Sequence, residues 1–355
     1  MRLKDKDAYI TALLFIFILI VMYALTLDLR EVAAEQQING DWFINQDTTI
    51  TDEIIYLNGT LHVNATLNLE NVTLYVISPA ESPHGIEVLS NGFLNVSDNN
   101  GDPSRITGYS PPEVMVPDRF FVRVKGGRLR IVNSIVSYVG YTELKDDPQS
   151  AGIYVEGGSV ELNGTTFNHC LYSSLILNGT RNAIVEGCSF QNHQTALTAI
   201  NADGLLLKGN VVLDDTANGF LPPYQYGFVI QDSKNVTVAL NDVDRQVECY
   251  YFLLCENVTV ERNTALLTFD YVDERVFSSA FTIESCRNIL FENNYVTGSS
   301  GYETVGFEGY NNTDVTLQHN AVCDCTYPIS LIDLIDSTIN ENSIKGDWTG
   351  QTAIQ

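Results

Sequence analysis

Two histidines and a group of carboxylates are the residues of this chain whose types and spacing suit chemistry. His169 and His193 fall in the short turns between copies of a repeated phrase, on adjacent coils. Stacked as parallel strands, such copies would stand about 4.8 Å apart. Two imidazoles near carboxylates can hold a divalent metal, or supply acid and base to a sugar. The carboxylates lie in long segments between phrases: Asp146 and Asp147 in 137–150, Asp214 and Asp215 in 213–226, Asp270 and Glu274 in 266–279. Pairs such as Asp214 with Asp215, or Asp270 with Glu274, serve glycoside hydrolysis when correctly separated. The same segments hold Tyr141, Tyr224, Tyr226 and Tyr271. Tyrosine beside carboxylate is a sugar-binding composition, because ring faces stack on sugars and carboxylates accept hydroxyls. Calcium or another divalent metal would suit these carboxylates too, although no D-x-[DN]-x-[DN]-G loop occurs. Solvated turn histidines and loop-anchoring aromatics fit the same pattern.

The elements that must position these residues are repeats. A nine-residue phrase recurs between Phe120 and Asp336: small residue, apolar, any, apolar, four more, then usually Asn or Asp. Clear copies begin at Gly227, Cys249 and Ala280. Each is followed by apolar-x-apolar-x-x-Asn-x-apolar, as in Val236 to Val243. The turn after this second strand falls at Ser134, Thr165, Cys188, Asn210, Asn241, Asn263, Asn294, Asn320 and Asn342, at intervals of 22 to 31 residues. Such spacing means stacked coils. A coil of this length with period-two apolarity holds three short strands and no helix. Length variation is confined to the stretch after the third strand, so all insertions emerge at one edge, a common binding face in repeat proteins. The six consecutive asparagines at one spot read as a structural ladder rather than as catalytic groups. Residues 42–118 read as irregular, capping coils and 119–355 as regular ones, which end three residues into a further phrase, Ala353-Ile354-Gln355. That ending implies either a longer native chain or docking on a partner.

The x-N-V-T-V-x-x-N-x-[V/F] coils resemble right-handed parallel β-helix proteins of the pectate-lyase-like superfamily, over roughly residues 42–355. The resemblance implies an all-β, single-stranded parallel solenoid, in a superfamily of lyases, hydrolases and carbohydrate-binding surface modules. Anchored, sequon-rich members resemble archaeal-type cell-surface proteins. Periplasmic accessory proteins related to copper share the coil text as well. No catalytic residue carries over. The lyase Arg-x-Pro-x-x-Arg pattern is absent, and Asp214-Asp215 has no accompanying Gly-His-Gly. Asp147-Pro148-Gln149 does not match the Asp-Pro-His-Asp of alginate epimerases. The leading expectation is therefore a non-catalytic glycan- or protein-binding module. A polysaccharide lyase or glycoside hydrolase working at the loop edge, or a purely structural stalk, remain alternatives.

Bulk composition bounds the partners. The 355 residues carry a formal net charge of −25, with 45% hydrophobic and 18% charged residues. A large core can form, and nucleic acid is excluded as a partner because so acidic a surface repels phosphates. Residues 8–27 are almost wholly apolar, long enough to span a bilayer. Residues 1–7, with Arg2, Lys4 and Lys6, read as a cytoplasmic start, and 28–41 as a linker outside. A cleaved signal peptide is the rival reading, and its nearest small-residue site is Val32-Ala33-Ala34. Sequons at Asn58, Asn64, Asn71, Asn95, Asn163, Asn178, Asn235, Asn257 and Asn311 are glycosylation candidates, although the coil motif itself generates N-V-T. Seven cysteines form no even framework. Cys255 and Cys286 share one repeat position and read as buried filling more readily than as a disulfide. We expect the native protein to stay in membranes through high-salt washing with Met1 or Arg2 at its start. Soluble material beginning near Glu35 would overturn the anchor.

Overall fold

The computed structural model describes residues 34–79, 81–110, 117–140, 151–213, 225–267, 278–298, 303–346 and 353–354. The chain divides into two compact units, Met1–Ala34 and Glu35–Gln355, and the coils make up the second. Among the described residues no helix is long and apolar enough to cross a membrane, and the expected span 8–27 lies outside them.

Each coil lays down three short strands, and each strand pairs in parallel with its counterpart one coil on. The first column includes Tyr226–Gln231, Glu248–Leu253 and Ser278–Glu284. The second includes Lys234–Ala239, Glu256–Glu261 and Arg287–Glu292. The third, with Asp242–Asp244, Thr264–Leu266 and Tyr295–Thr297, is a sheet of 13 strands. The strand Thr304–Gln318 runs unbroken from the first column into the second, so the two are counted as one sheet of 24 strands. Coils before residue 119 fall in the same columns: Leu61–Val63 pairs with Trp42–Ile44 and with Gly85–Val88.

Alternation along each strand sends one set of side chains inward. Phe167, Phe190, Phe228, Tyr250, Phe281 and Phe307 stack along the axis, with successive centroids 4.8–6.2 Å apart. Val238, Val260, Phe291 and Leu317 form a second inward file, in register and fully buried. The phrase opens on a small residue because it sits at the corner between the third and first columns. A Cβ on Gly227 would stand 2.2 Å from the Cys249 carbonyl oxygen.

The corner between the second and third columns is held by asparagine. Asn263 Nδ2 donates to Asn294 Oδ1 at 3.0 Å and to the Val238 carbonyl at 2.9 Å. Its Oδ1 accepts from Asn241 Nδ2 and from the Asn241 backbone N–H. The same pattern links Asn210, Asn241, Asn294, Asn320 and Asn342. Toward the N-terminus Cys188, Thr165 and Ser134 take the position and remain buried. The corner after the first column holds Ser233, Cys255, Cys286 and Asn312, all buried. Both cysteines are free thiols, and the Cys255 backbone N–H donates to Cys286 Sγ at 3.3 Å.

Truncating Phe291 to Ala should cost about 3 to 5 kcal/mol, as buried aromatic truncations do. Asn263→Ala should cost about 3 kcal/mol, because buried donors on Asn241 and the Val238 carbonyl lose their partner. Asn288→Ala, in an exposed amide pair with Asn257, should cost less than about 1 kcal/mol, since water replaces the lost bond. Urea denaturation of the three variants checks this order.

Candidate functional site

The expected site spreads over the edge where insertions emerge. Tyr141, Asp146, Asp147, Asp214, Asp215, Tyr224, Asp270, Tyr271 and Glu274 lie outside the described residues. The two histidines do not share a floor, and this corrects their expected pairing. Asn168 pairs with Gln191, so the counterpart of His169 is Asn192, one residue before His193. His169 and Asn192 share a left-handed backbone, with φ of 54° and 51°. The His169 ring stacks on Tyr138, with centroids 5.0 Å apart. His193 turns inward and is 1% exposed. Neither of its ring nitrogens makes a hydrogen bond of ordinary geometry. Burial pushes its pKa down to about 4, against a smaller opposing effect of the Gln191 carbonyl. It is thus a neutral imidazole at physiological pH and offers no charge to a ligand. Among the described residues, no three His, Cys, Asp or Glu side chains converge as a metal-holding group.

A different constellation stands on the outer face of the first column. Tyr226 pairs with Glu248, and Glu248 with Ser279. Tyr251 pairs with Thr282, and Thr282 with Glu308. Leu253 pairs with Glu284, and Glu284 with Tyr310. Three glutamates and two tyrosines from three consecutive coils thereby share one surface. The strand neighbours Tyr250, Phe252, Phe281, Ile283 and Phe307 are buried, so alternation turns Tyr251, Thr282, Glu284 and Glu308 outward, while the half-buried Glu248 lies before the corner residue Cys249. Ser279 Oγ donates to Glu308 Oε2 at 2.6 Å. Ser279 is the strand neighbour of Glu248, so the Glu308 carboxylate reaches back beside it. The Tyr310 hydroxyl donates to Glu284 Oε2 at 2.6 Å. Thr282, 5% exposed, lies between Tyr251 and Glu308 in register, and its Oγ1 has no hydrogen-bond partner among the described residues.

Electrostatics sorts the three acids. Burial, then the charges of Glu308 and Glu284, push the Glu248 carboxyl up to about 7. Burial, then the charge of Glu284, holds the proton on Tyr251. The face therefore presents at Glu248 a carboxyl that exchanges its proton near neutral pH, beside Glu308 and Glu284. Such environments pull acid and base roles apart. Sequence reading singled out Tyr226 and missed Glu248, Tyr251, Glu284, Glu308 and Tyr310. These five sit inside the repeated phrase, where a charged or aromatic residue reads as an ordinary solvent-facing strand position. Their register across coils was the available signal: Glu248, Glu284 and Glu308 interrupt a column otherwise rich in Thr, Val and Ile.

Most sequon amides are engaged within the fold. Asn95 Nδ2 donates to Asn68, Asn178 to the Tyr154 hydroxyl, Asn235 to Asp203, Asn257 to Asn235 and Asn311 to Ser285. Asn64 and Asn71 bond to Asn45 and Asp52. Among the described residues, the Asn58 and Asn163 amides have no such partner.

A carboxyl whose pKa is raised on folding stabilises the fold fully below its unfolded pKa and loses that contribution as pH rises through the folded value. For Glu248 the window runs from about 4.5 to about 7. Relative to Glu248→Gln, the parent should lose on the order of 2 kcal/mol across it, after allowance for partial exposure. Urea midpoints of both proteins, measured from pH 4 to 8, check this; parallel curves would show that Glu248 titrates normally.

No curated protein sequence matches this chain. Among solved structures it is similar to the periplasmic alginate epimerase AlgG, at 12% identity over 84% of this chain and 79% of that one, TM-score 0.46. It is similar also to the GH136 lacto-N-biosidase from Eubacterium ramulus, at 11% identity over 88% and 56%, TM-score 0.44. A PL6 alginate lyase in complex with a trisaccharide matches at 11% identity over 93% and 85%, TM-score 0.37. The model of the right-handed beta helix region matches residues 121–302, half of the chain, and the chain belongs to that family.

Proposed function

We propose that this chain is a β-helix protein displayed outside the cell on its N-terminal apolar run, and that it binds glycan on the outer face of the first column. The supporting observation is the array of Glu248, Tyr251, Glu284, Glu308 and Tyr310 across three successive coils. Sugars are held by carboxylates that accept their hydroxyls and by ring faces that cover their apolar sides. A half-buried patch offering both, repeated at the axial spacing of the coils, suits an extended saccharide better than a compact metabolite. Its acidity favours a neutral glycan, since each added negative charge would meet the carboxylates of Glu284 and Glu308. For the address, the support is the sequence of residues 8–27 and the basic residues before it.

A second reading has its own observation. Glu248 keeps its proton near neutral pH beside Glu308. An acid and a carboxylate so paired can hydrolyse a glycosidic bond: Glu248 protonates the leaving oxygen, and the carboxylate attacks the anomeric carbon or deprotonates the attacking water. A glycan-binding screen of the full chain, scored for both retention and cleavage, separates the readings. Retention by the parent, weakened about tenfold or more by Tyr251→Ala, as loss of a stacking ring predicts, supports binding on this face. Cleavage abolished by Glu248→Gln with retention kept would make the protein a hydrolase. No retention of any glycan would overturn both and leave a partner-protein or stalk role.

A further inference from the structure

Of the seven free thiols, Cys255 and Cys286 are the pair whose side chains hydrogen-bond each other. They directly precede Glu256 and Arg287, which pair across the second column, so the two thiols stack at one corner of successive coils. The Cys255 backbone N–H donates to Cys286 Sγ at 3.3 Å, across 31 residues of chain. Successive coils stand about 4.8 Å apart, inside the Cα separations of roughly 4.4 to 6.8 Å that a disulfide spans.

The pair is placed where a bond would act on the glutamate face. Cys255 follows the strand Glu248–Leu253, and Cys286 follows Ser278–Glu284, each after one turn residue. Those strands carry Glu248, Tyr251, Thr282 and Glu284. A bond between the sulfurs would tie the two coils together and enclose the long segment 266–279. The turn residues Leu254 and Ser285 are left-handed, with φ of 54° and 52°. Leu254 is 52% exposed and the thiols only 2%, so Cys255 lies one residue behind the surface.

The two sulfurs differ in reactivity. Hydrogen bonding from the Cys255 thiol lowers the Cys286 pKa, against the opposing effect of burial and with help from the Cys255 N–H. The thiolate is the attacking species in exchange, which makes Cys286 the nucleophile. Its Sγ attacks one sulfur of an external disulfide and releases the first small thiol. Cys255 then loses its proton and attacks Cys286 Sγ in the mixed disulfide, releasing the second. Two electrons and two protons pass from the protein to the oxidant: one disulfide forms and one is reduced.

We propose that Cys255 and Cys286 are a redox latch, closed by a small-molecule disulfide into a bond that locks the two coils and reopened by a reducing thiol. The latch depends on no ligand of the glutamate face. Such bonds persist in oxidising surroundings outside the cell, where the display proposed above would place the coils.

Incubating the full chain with glutathione disulfide, then denaturing and alkylating it, tests this by mass spectrometry. The oxidised protein should be lighter by two hydrogens, with Cys255 and Cys286 linked and the remaining cysteines alkylated. The bond closes a loop of 31 residues, so the melting midpoint should rise by roughly 5 °C and fall back on adding dithiothreitol. Cys255→Ser should fold as the parent does in dithiothreitol, because Ser233 fills the same corner one coil earlier. Its midpoint should not respond to the oxidant, and neither should that of Cys286→Ser. The proposal is overturned if both thiols are still alkylated after oxidation, or if either stops at a mixed disulfide with glutathione. It is overturned also if the parent's midpoint is unmoved by the bond, or if either serine variant responds to oxidant as the parent does.

Discussion

A buried amide that uses every one of its hydrogen-bonding groups sets the geometry on which the rest of this molecule depends. Each asparagine from Asn241 to Asn320 donates both Nδ2 protons, one along the axis and one to a carbonyl of the second column. Its oxygen accepts from the neighbouring coil's backbone and side chain. Leaving such groups unpaired in the interior would cost several times what each bond contributes net. The bend between columns must therefore recur at the same place in every coil, however long the coil. Coils that differ by insertions still align, because the extra residues lie beyond the corner and leave the ladder untouched.

Fixed register has a consequence on the outer surface. Residues some thirty positions apart in sequence become strand neighbours at about 4.8 Å. Like groups then either cooperate or conflict. The rings of Tyr56 and Tyr75 cooperate by stacking. The carboxyls of Glu248, Glu284 and Glu308 conflict, and the conflict is resolved partly by hydroxyl donors on Ser279 and Tyr310 and partly by the proton retained on Glu248. The glutamate face arises this way, as a run of outward positions that departs from the Thr, Ser and Val background and is brought together only by stacking.

The free thiols follow the same logic. Cys255 and Cys286 fill a corner position that is Ser233 one coil earlier and Asn312 one coil later. All four are small, buried and able to meet a backbone donor. A sulfur here accepts from the preceding coil's N–H as the Asn312 amide oxygen does, with weaker bonding and tighter filling. Cys188 shows the same exchange at the asparagine corner, where its backbone N–H is capped by Asn210.

The fold was legible in the sequence because its determinants are local and repeated. The small residue opening each phrase, the alternating apolar pairs and the asparagine before each third strand each report a short-range requirement: a tight corner, an inward face, a satisfied turn. Their recurrence identified the columns, the ladder from Asn210 to Asn342 and the inward file of Val238, Val260, Phe291 and Leu317. The sites were not legible in this way. The separation of His169 from His193 turns on a single residue of register, since one step along a strand reverses the direction of a side chain. The grouping of Glu248 with Glu308 depends on which coils are neighbours and on how far each side chain reaches across them. Composition and motif settled the architecture, the acidity of the surface and the face from which loops emerge. Only the stacked structure decided which outward residues meet, because burial and charge coupling are properties of neighbours in space that no single coil contains.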